Sequence, residues 1–323
     1  MQKTEIKTGS WQKFRSSAKY NDRKSRILTR LKNLLLGIFR FIIIVGISYV
    51  ILAPVIGTVS RSFFSTQDSI NPMVFTIPIN PTLSRYAMAI KYMDYLPILG
   101  RTILYVIGVT LLQLLTCSMV GYGFARYKFP LKKLLFAFVV IMIVVPPQTI
   151  QFPLYMSFRY FGFGTDTVNL LKSPWPMVIL SAFGCGLRSG LYIYIFNQFF
   201  RGLPKEIEEA ALVDGANPWY TYFGIMLPNA SPAIITVAVF SIVWQYNDSF
   251  FANTFNIPSS ILITRKLDTL INVIANAEKI NSLRELQLYF DAGVVLVLVP
   301  VVLIYLILQR RFIEGVERSG IVG

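Results

Sequence analysis

The sequence predicts an all-α membrane protein. It expects six transmembrane helices, both termini on the inner side, and a polar helix-turn-helix between helices 4 and 5. Three observations carry that expectation. Hydrophobic residues make up 54% of the 323-residue chain and charged residues only 15%, against about 25% charged in ordinary soluble domains. The apolar residues gather into six runs, of the length that crosses a hydrocarbon core of about 30 Å. Lys and Arg are shared unevenly between the connections, 19 on one side of the resulting serpentine and 10 on the other. The richer side is the inner one.

Residues 1–32 form a basic tail that holds 10 of the 31 Lys and Arg, opposed only by Glu5 and Asp22. Such a run is an orientation signal, with weak helical spacing around Ile27 and Leu31 leading into the membrane. The first helix is expected over 33–62, where Phe41 to Val59 gives 19 residues without a charge. That run is too long for a signal-peptide core and is read as a retained anchor. A loop over 63–101 follows on the outer side, and a core domain over 102–323.

Within the core domain the runs are 102–125, 134–158, 175–200, 230–247 and 292–308. The second of these is broken by Pro146-Pro147 and again by Pro153, which implies a kinked or interrupted helix. Gly184, Gly186 and Gly190 fall inside 175–200, where glycines in a membrane helix signal close packing of helices. Between 256 and 290, Leu267, Leu270, Ile271, Ile274 and Ile280 recur at helical spacing. This outer helix is expected to lie on the membrane surface or on a partner.

The polar stretch 204–228 reads as two short helices and a turn. Pro204 suits a first helical turn, and Glu206, Glu208 and Glu209 match the positive end of that helix's dipole. Gly215 closes the helix by entering the left-handed region without a steric penalty. Asn217 caps a second helix from Pro218, which is expected to end near Leu227 because Pro228 disfavours α geometry before it.

Several function classes are excluded early. The charge of +15 flanks apolar runs instead of forming one face, so it does not suggest nucleic acid. The absence of histidine removes the commonest general base and a frequent metal ligand. Cys117 and Cys185 lack metal-ligand spacing and read as packing residues. No G-x-x-x-x-G-K-[ST] occurs, so the chain has no phosphate loop. Neither a metal site nor catalytic residues are expected.

The hairpin carries a specific pattern: Glu209-Ala210-Ala211, three residues, Gly215, nine residues, Ile225, one residue, Leu227-Pro228. It resembles the EAA loop of binding-protein-dependent ABC-importer permeases. PTLSRYAMAI (81–90), FARYKFPLKKLLFA (124–137), the Trp244, Asn247 and Asp248 cluster, and QRRFIEGVERSGIVG (309–323) are similar to segments of the maltose-type (MalG-like) carbohydrate permeases. The resemblance covers about 75–323.

The resemblance implies a permease subunit that forms half of a translocation path for an oligosaccharide or sugar derivative. Its coupling loop, with Glu209, Ala210, Ala211, Asp214, Gly215, Ile225, Leu227 and Pro228, would dock into a cleft on a separate ATPase. Glu209 would supply polar contacts, and small Ala210 and Ala211 close approach. The implied partners are a second homologous permease, a cytoplasmic ABC ATPase dimer, an extracytoplasmic solute-binding protein and membrane lipid. The chain itself would bind no cofactor, ATP-Mg lying on the ATPase. The setting would be a bacterial or archaeal cytoplasmic membrane.

The path itself is expected to involve Arg188, Tyr192, Trp244, Tyr246, Asn247 and Asp248, with Tyr194 nearby. Arg188 and Asp248 are read as an intramembrane ion pair or as solute contacts, and the aromatics as surfaces for sugar rings. Two other readings stand beside this one. One is the same role for a non-sugar solute. The other is a self-contained secondary transporter, for which only Asp248 and Asp291 would serve as intramembrane carboxylates.

Overall fold

A computed structural model describes the backbone of residues 5–164 and 166–320, and side chains at 29–162, 164, 166–307 and 309. The side chains of most of the basic tail, and those of 310–323, lie outside the described residues. The chain divides into two units, residues 1–59 and 60–323. The first is carried by helix α1 (Glu5–Arg61), whose stretch Thr29–Arg61 is 33 residues of largely uncharged sequence.

The second unit begins with α2 (Thr66–Ile70) and α3 (Ser84–Met93). The long α4 (Tyr95–Arg126) then runs 32 residues, seven earlier at its start than the apolar run alone suggests. Next come α5 (Lys132–Val144), a 3-10 turn over Pro147–Ile150, and α6 (Gln151–Arg159). The Pro146-Pro147 pair breaks this span as expected: the two halves bend by 103°. A two-strand hairpin, β1 (Phe161–Phe163) and β2 (Asp166–Val168), pairs antiparallel with Gly162 opposite Thr167.

The run 175–200 is not one helix. It forms α7 (Trp175–Ala182) and α8 (Ser189–Gly202), separated by six residues. Gly184 takes φ +69° and Arg188 φ +61° in that gap, so the backbone reverses locally and no helix can pass through. Gly190 nevertheless does the packing expected of it, whereas a Cβ at Gly184 would meet only Ile193 Cδ1, at 3.9 Å. A Cβ at Gly190 would meet Met142 Cβ at 2.9 Å and the Val139 carbonyl at 3.0 Å, which is how close α8 runs to α5.

The remainder is helical: α9 (Glu206–Val213), α10 (Pro218–Tyr220), a π-helical turn over Thr221–Met226, and α11 (Leu227–Asn229). Then follow α12 (Ser231–Tyr246), α13 (Phe250–Thr254), α14 (Ile263–Glu278) and α15 (Leu283–Gly320). Among the described residues three helices are long and apolar enough to cross a membrane, and the count rises to five if each bent pair is one span.

The second unit is built around α4, which packs against α8, α12 and α7. Three hydrophobic clusters result. One joins Tyr122, Phe196, Phe200, Tyr222 and Met226 at the end of α4 nearest the hairpin. A second, at the other end, joins Met93, Ile98, Leu270, Ile274 and Tyr289. The third gathers Phe158, Met177, Leu187, Phe251 and Phe255.

Helix α14 settles the expectation for 256–290. The helix is there, but its apolar face is turned onto its own chain. Leu270 is 1% and Ile274 0% exposed, and α14 packs on α15, α3 and α4. Gly293 lets it close in: a Cβ there would meet both Leu267 and Leu270 at 2.7 Å. Burial on the second cluster removes that face from the membrane surface and from any partner.

Candidate functional site

The hairpin 204–228 is rigid for local reasons. Three glutamates, Glu206, Glu208 and Glu209, occupy the first turn of α9, where the dipole favours them. The C-terminal end is a Schellman closure. Ala216 N–H donates to the Ala211 carbonyl (3.0 Å) and Gly215 N–H to that of Leu212 (3.1 Å), with Gly215 at φ +80°. Asn217 Oδ1 then accepts the Tyr220 amide at 2.7 Å and starts α10, as its position predicts.

Past that point the structure departs from expectation in one respect. The second helix ends near Leu227 as expected, two residues on, but Leu227 itself stays α-helical before the proline, at φ −66° and ψ −44°. The preceding turn is π-helical, and such a wide turn gives the Pro228 ring room that a regular i−4 carbonyl would deny it. The helix ends at Asn229 and bends by 76° into α12.

The hairpin is clamped to α4. Arg126 donates through Nη2 to the Leu203 carbonyl at 2.9 Å, and its Nε lies 3.3 Å from Glu208 Oε2. Tyr122 donates to the other oxygen, Oε1, at 2.6 Å. The outward side of α9 carries exposed Glu209, Ala210 and Asp214, with Leu212 53% and Val213 87% exposed. Ala211 is different: it is buried, so its small side chain serves packing on its own chain and not an outer surface. Ile225 and Leu227 are half-buried and Pro228 is exposed. A groove of ≈ 310 Å³ lies between Met119, Tyr122 and Gly123 of α4 and Pro218, Trp219 and Tyr222 of the hairpin.

The second place of interest is the gap between α7 and α8. Helix α8 has 14 residues, so Arg188 at its start lies about 20 Å from the hairpin end. A charge at mid-membrane depth costs at least ~2.5 kcal/mol unless it meets protein or water. The Arg188 guanidinium lies over the Trp244 ring, 4.4 Å from the centroid, an attractive cation–π arrangement. Asp248 is not its partner. That carboxylate accepts the amides of Phe251 (3.3 Å) and Ala252 (3.2 Å) and starts α13. The ion pair expected between them does not form, because Asp248 is occupied by backbone amides and Arg188 by an indole.

The other path candidates divide. Trp244 is 43% exposed, and Asn247 is exposed while its Nδ2 donates to the Val243 carbonyl. Tyr194 is 38% exposed beside Phe136. Tyr192 and Tyr246 are buried, and the Tyr246 hydroxyl donates to the Val297 carbonyl at 2.9 Å. Those two rings belong to the core, not to a surface that a sugar reaches. Cys117 is buried and Cys185 exposed, both free. Among the described residues no cluster of His, Cys, Asp or Glu has the shape of a metal site.

Gln113 is the residue that sequence reasoning missed. It is 0% exposed and uses every bond its amide has. Nε2 donates to the Leu187 carbonyl (2.8 Å) and Ser189 Oγ (3.1 Å). Oε1 accepts from Ser241 Oγ (2.7 Å) and Gln245 Nε2 (3.3 Å). One side chain of α4 therefore fixes both the residue before Arg188 and the helix that bears Trp244. The signal for it was a lone amide in an apolar run.

A capped hairpin held on the end of a long apolar helix, within a unit of packed apolar helices, defines a multi-pass helical membrane protein. Residues 117–318 match the family described as binding-protein-dependent transport system inner membrane component, and the chain belongs to that family. The trehalose transport system permease SugB of Mycobacterium tuberculosis is 28% identical, over 66% of this chain and 72% of its own length. The diacetylchitobiose uptake system permease NgcG of Streptomyces coelicolor is 26% identical, over 84% of each chain. A crystal structure of a bacterial ABC transporter that imports the acidic polysaccharide alginate shares the fold. Its TM-score is 0.69 at 22% identity, covering 90% of this chain and 98% of that one.

Proposed function

We propose that the chain is one of two permease subunits of a carbohydrate importer, crossing the membrane six times with both termini in the cytoplasm. The hairpin 204–228 is its coupling loop. The observation that carries this reading is the clamp of Arg126 and Tyr122 on Glu208 behind an exposed α9. A small helix so held transmits a push in either direction and leaves Glu209, Ala210 and Asp214 free for a cleft on an ATPase. Closure of two ATPases on ATP would draw two such loops together and switch the path from inward- to outward-facing. The cargoes of the two relatives, trehalose and diacetylchitobiose, support a saccharide as cargo.

The secondary-transporter reading loses its ion-coupling groups. Asp291 is 2.8 Å from Arg61 Nε, and Asp248 is engaged by backbone amides. The test is reconstitution with the partner permease, the ATPase and the receptor protein, with cysteine placed at Ala210. ATP-dependent oligosaccharide uptake and a crosslink from that cysteine to the ATPase are expected. Uptake without ATP, or a crosslink to any other subunit instead, refutes the reading.

A further inference from the structure

We propose that the solute carried by this chain bears an anionic group, the carboxylate of an acidic sugar, and that Arg188 with Trp244 receives it. This rests on the carbohydrate-permease reading and names its substrate class. Arg188 is exposed in the gap between α7 and α8, and no Asp or Glu among the described residues lies within 4 Å of its guanidinium. The nearby carboxylate that the sequence offers, Asp248, faces the amides of Phe251 and Ala252. The positive end of the α8 dipole falls at the same point and adds to the cation.

The geometry also says what kind of anion fits. The guanidinium carbon lies 4.4 Å from the Trp244 ring centroid, and a guanidinium edge is what grips a carboxylate with two parallel bonds. The exposed part of the indole beside it offers an apolar plane for a sugar ring. One cation balances one negative charge, which suits a uronate better than a phosphate dianion. The gap is held still for the purpose: Gln113 fixes the Leu187 carbonyl, and Thr116 donates to that of Ser181 at 2.9 Å.

The experiment uses the whole importer with its receptor in proteoliposomes. Its probes are trigalacturonate and the carboxyl-reduced form of the same trisaccharide. Wild type should take up the acid in preference. R188Q should lower the acid-to-neutral ratio by at least about tenfold, the effect of one lost charged contact, and R188K should keep part of it. Co-purification with the partner permease is followed for both variants. An unchanged ratio in R188Q, or a wild type that prefers the neutral sugar, overturns the proposal and leaves the carbohydrate reading standing. Loss of co-purification in R188Q and R188K alike overturns it too, by making Arg188 an assembly contact. Uptake of neither sugar by wild type overturns this proposal and leaves the carbohydrate reading to its own test.

Discussion

Arg126 and Glu208, 82 residues apart in sequence, meet with Nε 3.3 Å from Oε2, and both side chains are mostly shielded. The pair joins the end of α4 to the first turn of α9. Its hydrogen bonds run elsewhere: the guanidinium donates to the Leu203 carbonyl, and the carboxylate accepts from the Tyr122 hydroxyl. The three groups therefore act as one clamp.

Glu208→Gln keeps the Tyr122 bond but removes the charge opposite Arg126. A cost of about 1–3 kcal/mol is expected for a shielded charge left without its counterion. Thermal unfolding of the purified subunit, with the Arg126→Met and double variants, measures it. An additive double variant would show that the clamp is not cooperative.

At Gly215 a new Cβ would meet nothing within 4 Å, so the penalty for Gly215→Ala is backbone strain alone, about 1–2 kcal/mol. Gly215→Trp should likewise leave the protein inserted, yet abolish coupled uptake by blocking what docks there. Normal uptake by Gly215→Trp would remove the hairpin from the coupling mechanism. Asn217→Ala should cost about 1 kcal/mol through its lost cap.

Gln113→Leu strips four partners of their bonds at once. Polar contacts between membrane helices are worth about 0.6–1.7 kcal/mol each, so a loss at the upper end of that range or beyond is expected. An unaltered melting temperature for Gln113→Leu would show that the network contributes nothing to the fold.

Arg188→Met and Asp248→Asn should be independent, with coupling within about 0.5 kcal/mol, because Arg188 stacks on Trp244 and Asp248 caps α13. Asn caps as well as Asp does, so Asp248→Asn alone should be nearly neutral. A rescue of Arg188→Met by Asp248→Asn would restore the ion-pair reading.

Much of this was legible because it is local. The caps at Gly215 and Asn217 follow from backbone rules that act within four residues, and the Pro146-Pro147 break needs no neighbours either. What escaped depends on partners far along the chain. The gap at 183–188 looked like packing because Gly184 carries no mark that separates a left-handed turn from a close crossing. The inward face of α14 has the same spacing as an interfacial helix, and only α3 and α15 decide between them. Leu227 stayed helical before a proline because the turn ahead of it had already widened. Gln113 was invisible as a hub since its partners lie 74 to 132 residues away.

The saturation of Gln113 also has a consequence for how this sequence drifts over generations. One of its four partners is a main-chain carbonyl, that of Leu187, which no codon change can alter. A replacement at 113 therefore strands a group that cannot be mutated to match, whatever happens at Ser189, Ser241 and Gln245. Those three are free to vary only among residues that still answer an amide. The exposed side of α9 is not held by such a network, since Glu209, Ala210 and Asp214 face outward. The interior of the permease around Gln113 is thus held to a narrow set of solutions.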